Sequence, residues 1–131
     1  MTGLDTNILT RFFANDDPLQ TPKARAMLSS LTVAEPGWVG VATILELVWV
    51  LTSSLRLSRP AVAKILADLL TLETIQVERA ETVAKALQRY ASGKADFADC
   101  LTAASAKAAG CNRTLTFDRI AARDAGMELI A

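Results

Sequence analysis

The chain alternates short apolar or β-branched runs with longer amphipathic ones, and this alternation leaves few folds open. Strand candidates fall at Thr2 to Asp5, around Trp38-Val39, at Thr74 to Val77, at Thr114 to Thr116 and at Met127 to Ile130. Helical periodicity fills the gaps. A first helix, with Asn7 as its candidate cap, runs to about Ala14, and Asp16-Asp17-Pro18 breaks it. Further helices are expected at Thr21 to Leu31, Val41 to Leu55, after a Ser58 cap, from Ala80 to Ala91, from Asp96 to Ala109 and at Arg119 to Arg123. Strands separated by helices require right-handed crossovers and give a parallel sheet covered on both faces. The expected architecture is a three-layer α/β/α sandwich with a central parallel sheet, a single domain over residues 1–131.

In such sheets ligands bind beyond the carboxyl ends of the strands, and acids gather at those places in the pattern. Asp5 ends the first strand, Asp118 lies just past Thr114 to Thr116, and Asp96 and Asp99 open a helix. The i, i+3 spacing of that pair puts both carboxylates on one helix face. Glu46 lies in the apolar run Ile44 to Val50, where a glutamate must be partly exposed or strongly partnered. Taken alone, Asp5, Asp118 and the Asp96-Asp99 pair can each be read as helix caps. Taken together they describe a cluster of carboxylates that repels itself and needs cations. Oxygen ligands without histidine suit Mg²⁺ or Mn²⁺.

Charge and composition narrow the chemistry further. The chain has 14 basic and 14 acidic residues and no histidine. Setting aside the five acids leaves nine against 14 bases, so overall neutrality says little about a nucleic-acid partner. The absence of histidine excludes a Ser-His-Asp triad and a histidine general base. Two cysteines alone make no zinc site, and Cys100 and Cys111 read as small buried residues. Metal-activated water needs no protein base and attacks a phosphodiester in line. Asp5 interrupts any leader-like start, and the apolar stretch Gly37 to Leu51 is too short to span a bilayer. A cytoplasmic protein with no membrane partner is the expectation.

The four motifs, Leu-Asp-Thr-Asn at 4–7, Glu46, Ala-Asp-Phe-Ala-Asp at 95–99 and Leu-Thr-Phe-Asp at 115–118, occur in order over essentially the whole chain. This pattern closely resembles PIN-domain proteins, and among them the VapC toxin ribonucleases of type II toxin–antitoxin systems. The resemblance implies that Asp5, Glu46, Asp96, Asp99 and Asp118 form a Mg²⁺- or Mn²⁺-binding catalytic site. In it Asp5, Asp96 and Asp99 touch the metal, and Glu46 and Asp118 act directly or through water. It implies site-orienting roles for Thr6 and Thr116, and for Asn7 beside its capping role. It also implies an RNA substrate, a cognate antitoxin protein that fills the cleft, and a homodimer. Arg119, Arg11 and Lys94, with Arg113 and Arg123, lie near the motifs and are candidate phosphate contacts. Phe12, Phe13, Leu51 and Leu55 are candidates for part of an antitoxin-docking surface.

Two other readings stay open on the residues. A DNA-directed metal-dependent nuclease shares the acidic logic but generally carries extra helical or basic elements that hold duplex. A receiver-like signalling domain is also α/β with acids at strand ends. It expects an adjacent acid pair after the first strand, which this chain lacks.

Overall fold

The computed structural model describes residues 1–130; Ala131, the last residue of the expected domain, lies outside them. The chain divides into two compact units, Met1–Glu78 and a second beginning at Arg79. Among the described residues, no helix is long and apolar enough to cross a membrane.

The first unit runs β1 (Thr2–Gly3), α1 (Thr6–Ala14), α2 (Gln20–Ser29), β2 (Gly37–Val39), α3 (Val41–Trp49), α4 (Arg59–Thr71) and β3 (Ile75–Val77). Its strands form a parallel sheet in the order β1-β2-β3. Thr2 is opposite Gly37, and Gly37 is opposite Ile75. Leu4 prolongs β1 by donating its N–H to the Trp38 carbonyl at 2.9 Å. Leu9, Val39, Ile44, Leu47, Leu51, Val62, Leu66 and Leu69 are buried, so α1, α3 and α4 send large side chains into the core of this unit. α2 contributes Ala24 and Leu28. Gly37 permits close approach: a Cβ there would stand 2.8 Å from Leu4 Cδ1 and 2.9 Å from Leu31 Cδ1.

Local signals explain most boundaries. The Ser58 side chain accepts the Ala61 N–H and starts α4, as expected from its sequence. The long helix expected from Val41 to Leu55 is α-helical only to Trp49, and a π-helical turn carries it through Val50–Ser54. There Leu55 N–H reaches back to the Val50 carbonyl at 3.0 Å. The first helix is capped by Asp5 rather than Asn7. β1 ends early, Asp5 is extended, and its carboxylate accepts the Ile8 N–H at 3.2 Å, which leaves Asn7 already inside the helix.

The second unit contains α5 (Ala80–Ser92), α6 (Phe97–Ala108), β4 (Leu115–Thr116), α7 (Arg119–Asp124) and β5 (Glu128–Leu129). α5 and α6 pack along their length, burying Val83, Ala86 and Tyr90 from one and Phe97, Cys100 and Leu101 from the other. Tyr90 and Phe97 meet edge to face, with ring centroids 5.7 Å apart. β4 and β5 pair in parallel, Leu115 opposite Glu128 and Thr116 opposite Leu129. The α/β class with parallel strands linked by helices therefore holds, and the strands hydrogen-bond as a set of three and a set of two.

Candidate metal centre

Three of the five acids belong to the second unit, and two of them are held in different ways. Asp118 is the N-cap of α7: one of its oxygens accepts Ile120 N–H at 2.8 Å and Ala121 N–H at 3.0 Å. Thr116 Oγ accepts the Asp118 N–H at 3.0 Å, so the hydroxyl expected to orient the site fixes the turn that carries Asp118. Asp96 stands at the N-cap position of α6, yet its side chain makes no capping bond. Its backbone alone serves the helix, its carbonyl accepting the Cys100 N–H at 3.1 Å.

Asp99 follows in the first turn of α6 and is half-buried. Burial pushes its carboxyl above the usual carboxylate range, and the charges of Asp96 and Asp118 push in the same direction. No hydrogen bond or ion pair engages the Asp96 or Asp99 carboxylate among the described residues. Cys100, one residue on, is buried as expected, but Cys111 is exposed, because the chain has already left α6 when it reaches that position.

The loop before Asp96 has an anchor that sequence reasoning missed. Asp124, at the end of α7, accepts the Lys94 N–H at 2.8 Å. Arg123 clamps the same carboxylate through Nε at 2.9 Å and Nη2 at 3.1 Å. These bonds hold the Asp124 carboxyl down at about 2, the Arg123 bond first and the Lys94 N–H second. A Cβ on Gly93 would come within 2.9 Å of Asp124 Cβ, so the loop lies directly on it. Asp124 and Lys94 are 30 residues apart, and nothing local in the sequence announces the pair.

Asp5 and Glu46 belong to the first unit. Asp5 lines a cleft of about 470 Å³ with Asn7, Arg11, Gln20 and Lys23. Lys23 had no signal beyond its charge. Arg11 is engaged in protein contacts, its Nε with Gln20 Oε1 at 2.8 Å and its Nη1 with Asp16 at 3.2 Å. Thr6 is buried and Asn7 exposed. Glu46 lies on the exposed side of α3 between Ala42 and Trp49, while Ile44, Leu47 and Val48 take the buried side. Exposure, rather than a partner, resolves how a glutamate sits in that apolar run. The start of α3 is served by Glu78, whose Oε1 accepts the Val41 N–H at 2.9 Å, a link of 37 residues that sequence reasoning also missed.

Among the basic candidates, Arg119 is exposed, Arg113 pairs with Glu128 at 3.1 Å, and Arg123 is engaged with Asp124. Phe12 and Phe13 are both half-buried and stack edge to face at 5.0 Å. Leu55 is half-buried as well, but Leu51 is fully buried in the core and so cannot belong to a docking surface.

Among the described residues, in neither unit do three acids stand close enough, as the side chains lie, to share one ion. The donor set nonetheless fits a hard dication. It is all oxygen, Asp96 is exposed with no capping bond, Asp99 lies where burial and two neighbouring carboxylates disfavour its charge, and the second oxygen of Asp118 takes no part in its cap.

No curated protein and no solved structure matches the chain significantly. A family model described as the PIN domain matches residues 4–126 and thus runs through both units. On that match the chain belongs to the PIN-domain family, whose members are in general metal-dependent nucleases.

Proposed function

We propose that this protein is a Mg²⁺- or Mn²⁺-dependent endoribonuclease acting as the toxin of a type II toxin–antitoxin pair. The observation that carries the reading is the start of α6, where the Asp96 side chain makes no capping bond and the half-buried Asp99 carboxyl feels the charges of Asp96 and Asp118. The reading assigns metal binding to Asp5, Glu46, Asp96, Asp99 and Asp118. A dication held there would supply an ionised water to attack the phosphorus and would offset charge on the departing 3′ oxygen, chemistry that gives a 5′-phosphate and a 3′-hydroxyl. Asp96 and Asp99 hold negative charge at the start of α6. Asp118 presents one oxygen while its cap fixes the other. Asp124 keeps the loop before Asp96 in place through Lys94 N–H.

Exposed rings beside two of the acids support single-stranded RNA as substrate. Phe117 is 81% exposed next to Asp118, and Trp49 is 63% exposed one helical turn from Glu46. Aromatic faces of this kind stack unpaired bases. The test is incubation of the purified protein, freed of bound inhibitor, with structured RNA and matched DNA in Mn²⁺. The expected result is RNA fragments bearing 5′-phosphates, absent with Asp96→Ala. Equal cleavage by Asp96→Ala would sink the reading, and a preference for DNA would replace its substrate.

The same reading supplies an antitoxin partner, a homodimer and a cytoplasmic setting. The Phe12-Phe13 pair and Leu55, each half-buried, support an apolar docking surface for the antitoxin. Phe13→Ser and Leu55→Ser proteins that stay folded are expected to lose antitoxin co-purification; unchanged binding would remove this surface.

A further inference from the structure

The second unit contains a cavity of about 860 Å³ that runs beside α6 from Cys100 to Ala108, and the charged side chains lining it are of one sign. Lys85 and Arg89 of α5, Lys107 of α6 and Arg113 beyond it line the cavity, and among the described residues no carboxylate does. Arg113 is partly balanced by Glu128 at 3.1 Å, where both side chains are exposed. No acid pairs with Lys85, Arg89 or Lys107 among the described residues.

Each cation alone has an ordinary explanation. Lys107 sits in the last turn of α6, where a positive charge suits the helix dipole. The same account covers Arg89 in the last turn of α5, but not Lys85 or Arg113. Like charges around one concavity repel each other and focus a positive field into it, which favours an anionic occupant. Arg89 is also held in place. Its guanidinium lies against Gly126, where a Cβ would come within 2.8 Å of the guanidinium carbon. Gly126 has φ 81°, so the turn and the close approach both call for glycine.

The volume exceeds what one phosphate needs, and the wall includes neutral polar groups such as Gln88. Asp99, Ala103 and Lys107 follow one i, i+4 ridge of α6. Eight residues of helix separate the acid from the lysine by about 12 Å. A strand whose phosphate reaches the acids can therefore continue along α6 into the cavity.

We propose that this cavity is a second RNA-binding site that grips the phosphodiester backbone of single-stranded RNA away from the bond being cut. Its choice of RNA rests on the ribonuclease reading above. Cys111, an exposed free thiol in the cavity wall, gives a readout separate from cleavage.

The experiment uses the full chain in EDTA with a labelled single-stranded RNA, read by fluorescence anisotropy over a salt series. The Lys85→Glu/Lys107→Glu protein is expected to bind about tenfold more weakly. A Lys64→Glu control, altered on the other unit, should bind as wild type. In the neutral pair Lys85→Ala/Lys107→Ala, which serves if the reversed pair folds poorly, the salt slope should fall by about 1.4. Saturating RNA is expected to slow the reaction of Cys111 with a thiol reagent at least threefold, on the order expected for a shielded wall residue.

Wild-type affinity in both double variants, unchanged Cys111 reactivity under RNA, or equal protection by an acidic peptide would each overturn the proposal. Mn²⁺-dependent cleavage is assayed in parallel. Binding with protection but no cleavage would support the cavity and reject the ribonuclease reading. Cleavage without protection would do the reverse.

Discussion

The starts of α6 and α7 both carry an aspartate at the N-cap, and the two aspartates do different work. Asp118 gives one oxygen to two backbone N–H groups of α7. Asp96 gives none to α6. A helix start without a side-chain cap forgoes on the order of 1 kcal/mol, so the idle carboxylate at Asp96 is a stability concession. Asp5 at the start of α1 falls between them, with a single longer bond to Ile8 N–H at 3.2 Å. Acids that hold the backbone are limited in where they can point, while an acid that holds nothing is free to meet a ligand. The neighbour of the idle acid, Asp99, is also the one whose carboxyl is pushed up by burial and by the other two.

The largest effect should separate these two starts. Asp96→Ala is expected to lower Mn²⁺-dependent cleavage by at least about a hundredfold, in the range found when a group stabilising transition-state charge is removed. Its stability to denaturant should hardly change, because no side-chain bond is lost. Asp118→Ala should lose activity and about 1 kcal/mol of stability together. Urea unfolding alongside single-turnover cleavage checks both. If Asp96→Ala is destabilised as much as Asp118→Ala, the contrast between the two starts collapses.

How much of this was legible in the sequence follows the range of the interactions. The Ser58 cap, the Asp118 cap and the Asp96-Asp99 spacing act within three residues and could be read directly. The helix–strand alternation and its parallel pairing were equally readable, because period and turn chemistry are local. Asp5 and Asn7 competed for one cap within three residues, and only the early end of β1 decided between them. Glu46 looked surrounded in one dimension, but a helix turns its i−4 and i+3 neighbours to the same side, and here that side is exposed. The contacts that span 30 and 37 residues, Asp124 to Lys94 and Glu78 to Val41, left no local trace. Both acids sit in ordinary polar contexts, and only the fold gives them backbone N–H groups to hold.

Asp124 offers a smaller effect that sharpens the comparison. If Asp96 is useful because it is free, something else must keep its backbone in place, and Asp124 does so through the Lys94 N–H. Asp124→Ala is expected to slow cleavage about tenfold, the scale for partners that orient a metal ligand. Mn²⁺ affinity should fall by a similar factor, and Asp124→Asn, which keeps an acceptor for the N–H, should restore part of both. Metal titration by calorimetry separates this from general destabilisation. Because the folded carboxyl titrates at about 2, below its usual 3.8, the stability it contributes is complete above the usual value and is lost as pH falls toward 2. Asp124→Ala and wild type should therefore converge in stability in strong acid. A gap that stays constant down to pH 2 would remove the anchor from the account.

The smallest effect concerns Asp99, and its sign is opposite. The folded carboxyl titrates above 3.8. Between 3.8 and that raised value the folded state keeps a proton that the unfolded chain has released, so stability falls as pH rises through the window. Above the window the whole penalty is present. Asp99→Asn should then melt slightly above wild type at pH 7 in EDTA and close to it at pH 3. Mn²⁺ should raise the wild-type midpoint at pH 7, where the ion takes the place of the missing cation, and do little at pH 3, where a proton already holds it. In Asp99→Asn the Mn²⁺ response at pH 7 should shrink. Differential scanning calorimetry at the two pH values, with and without Mn²⁺, reads all of these shifts. An Asp99→Asn protein that melts below wild type at pH 7 without metal would mean that the carboxylate has a stabilising partner. The acids at the start of α6 would then be tied to the protein, just as Asp118 is tied to the start of α7.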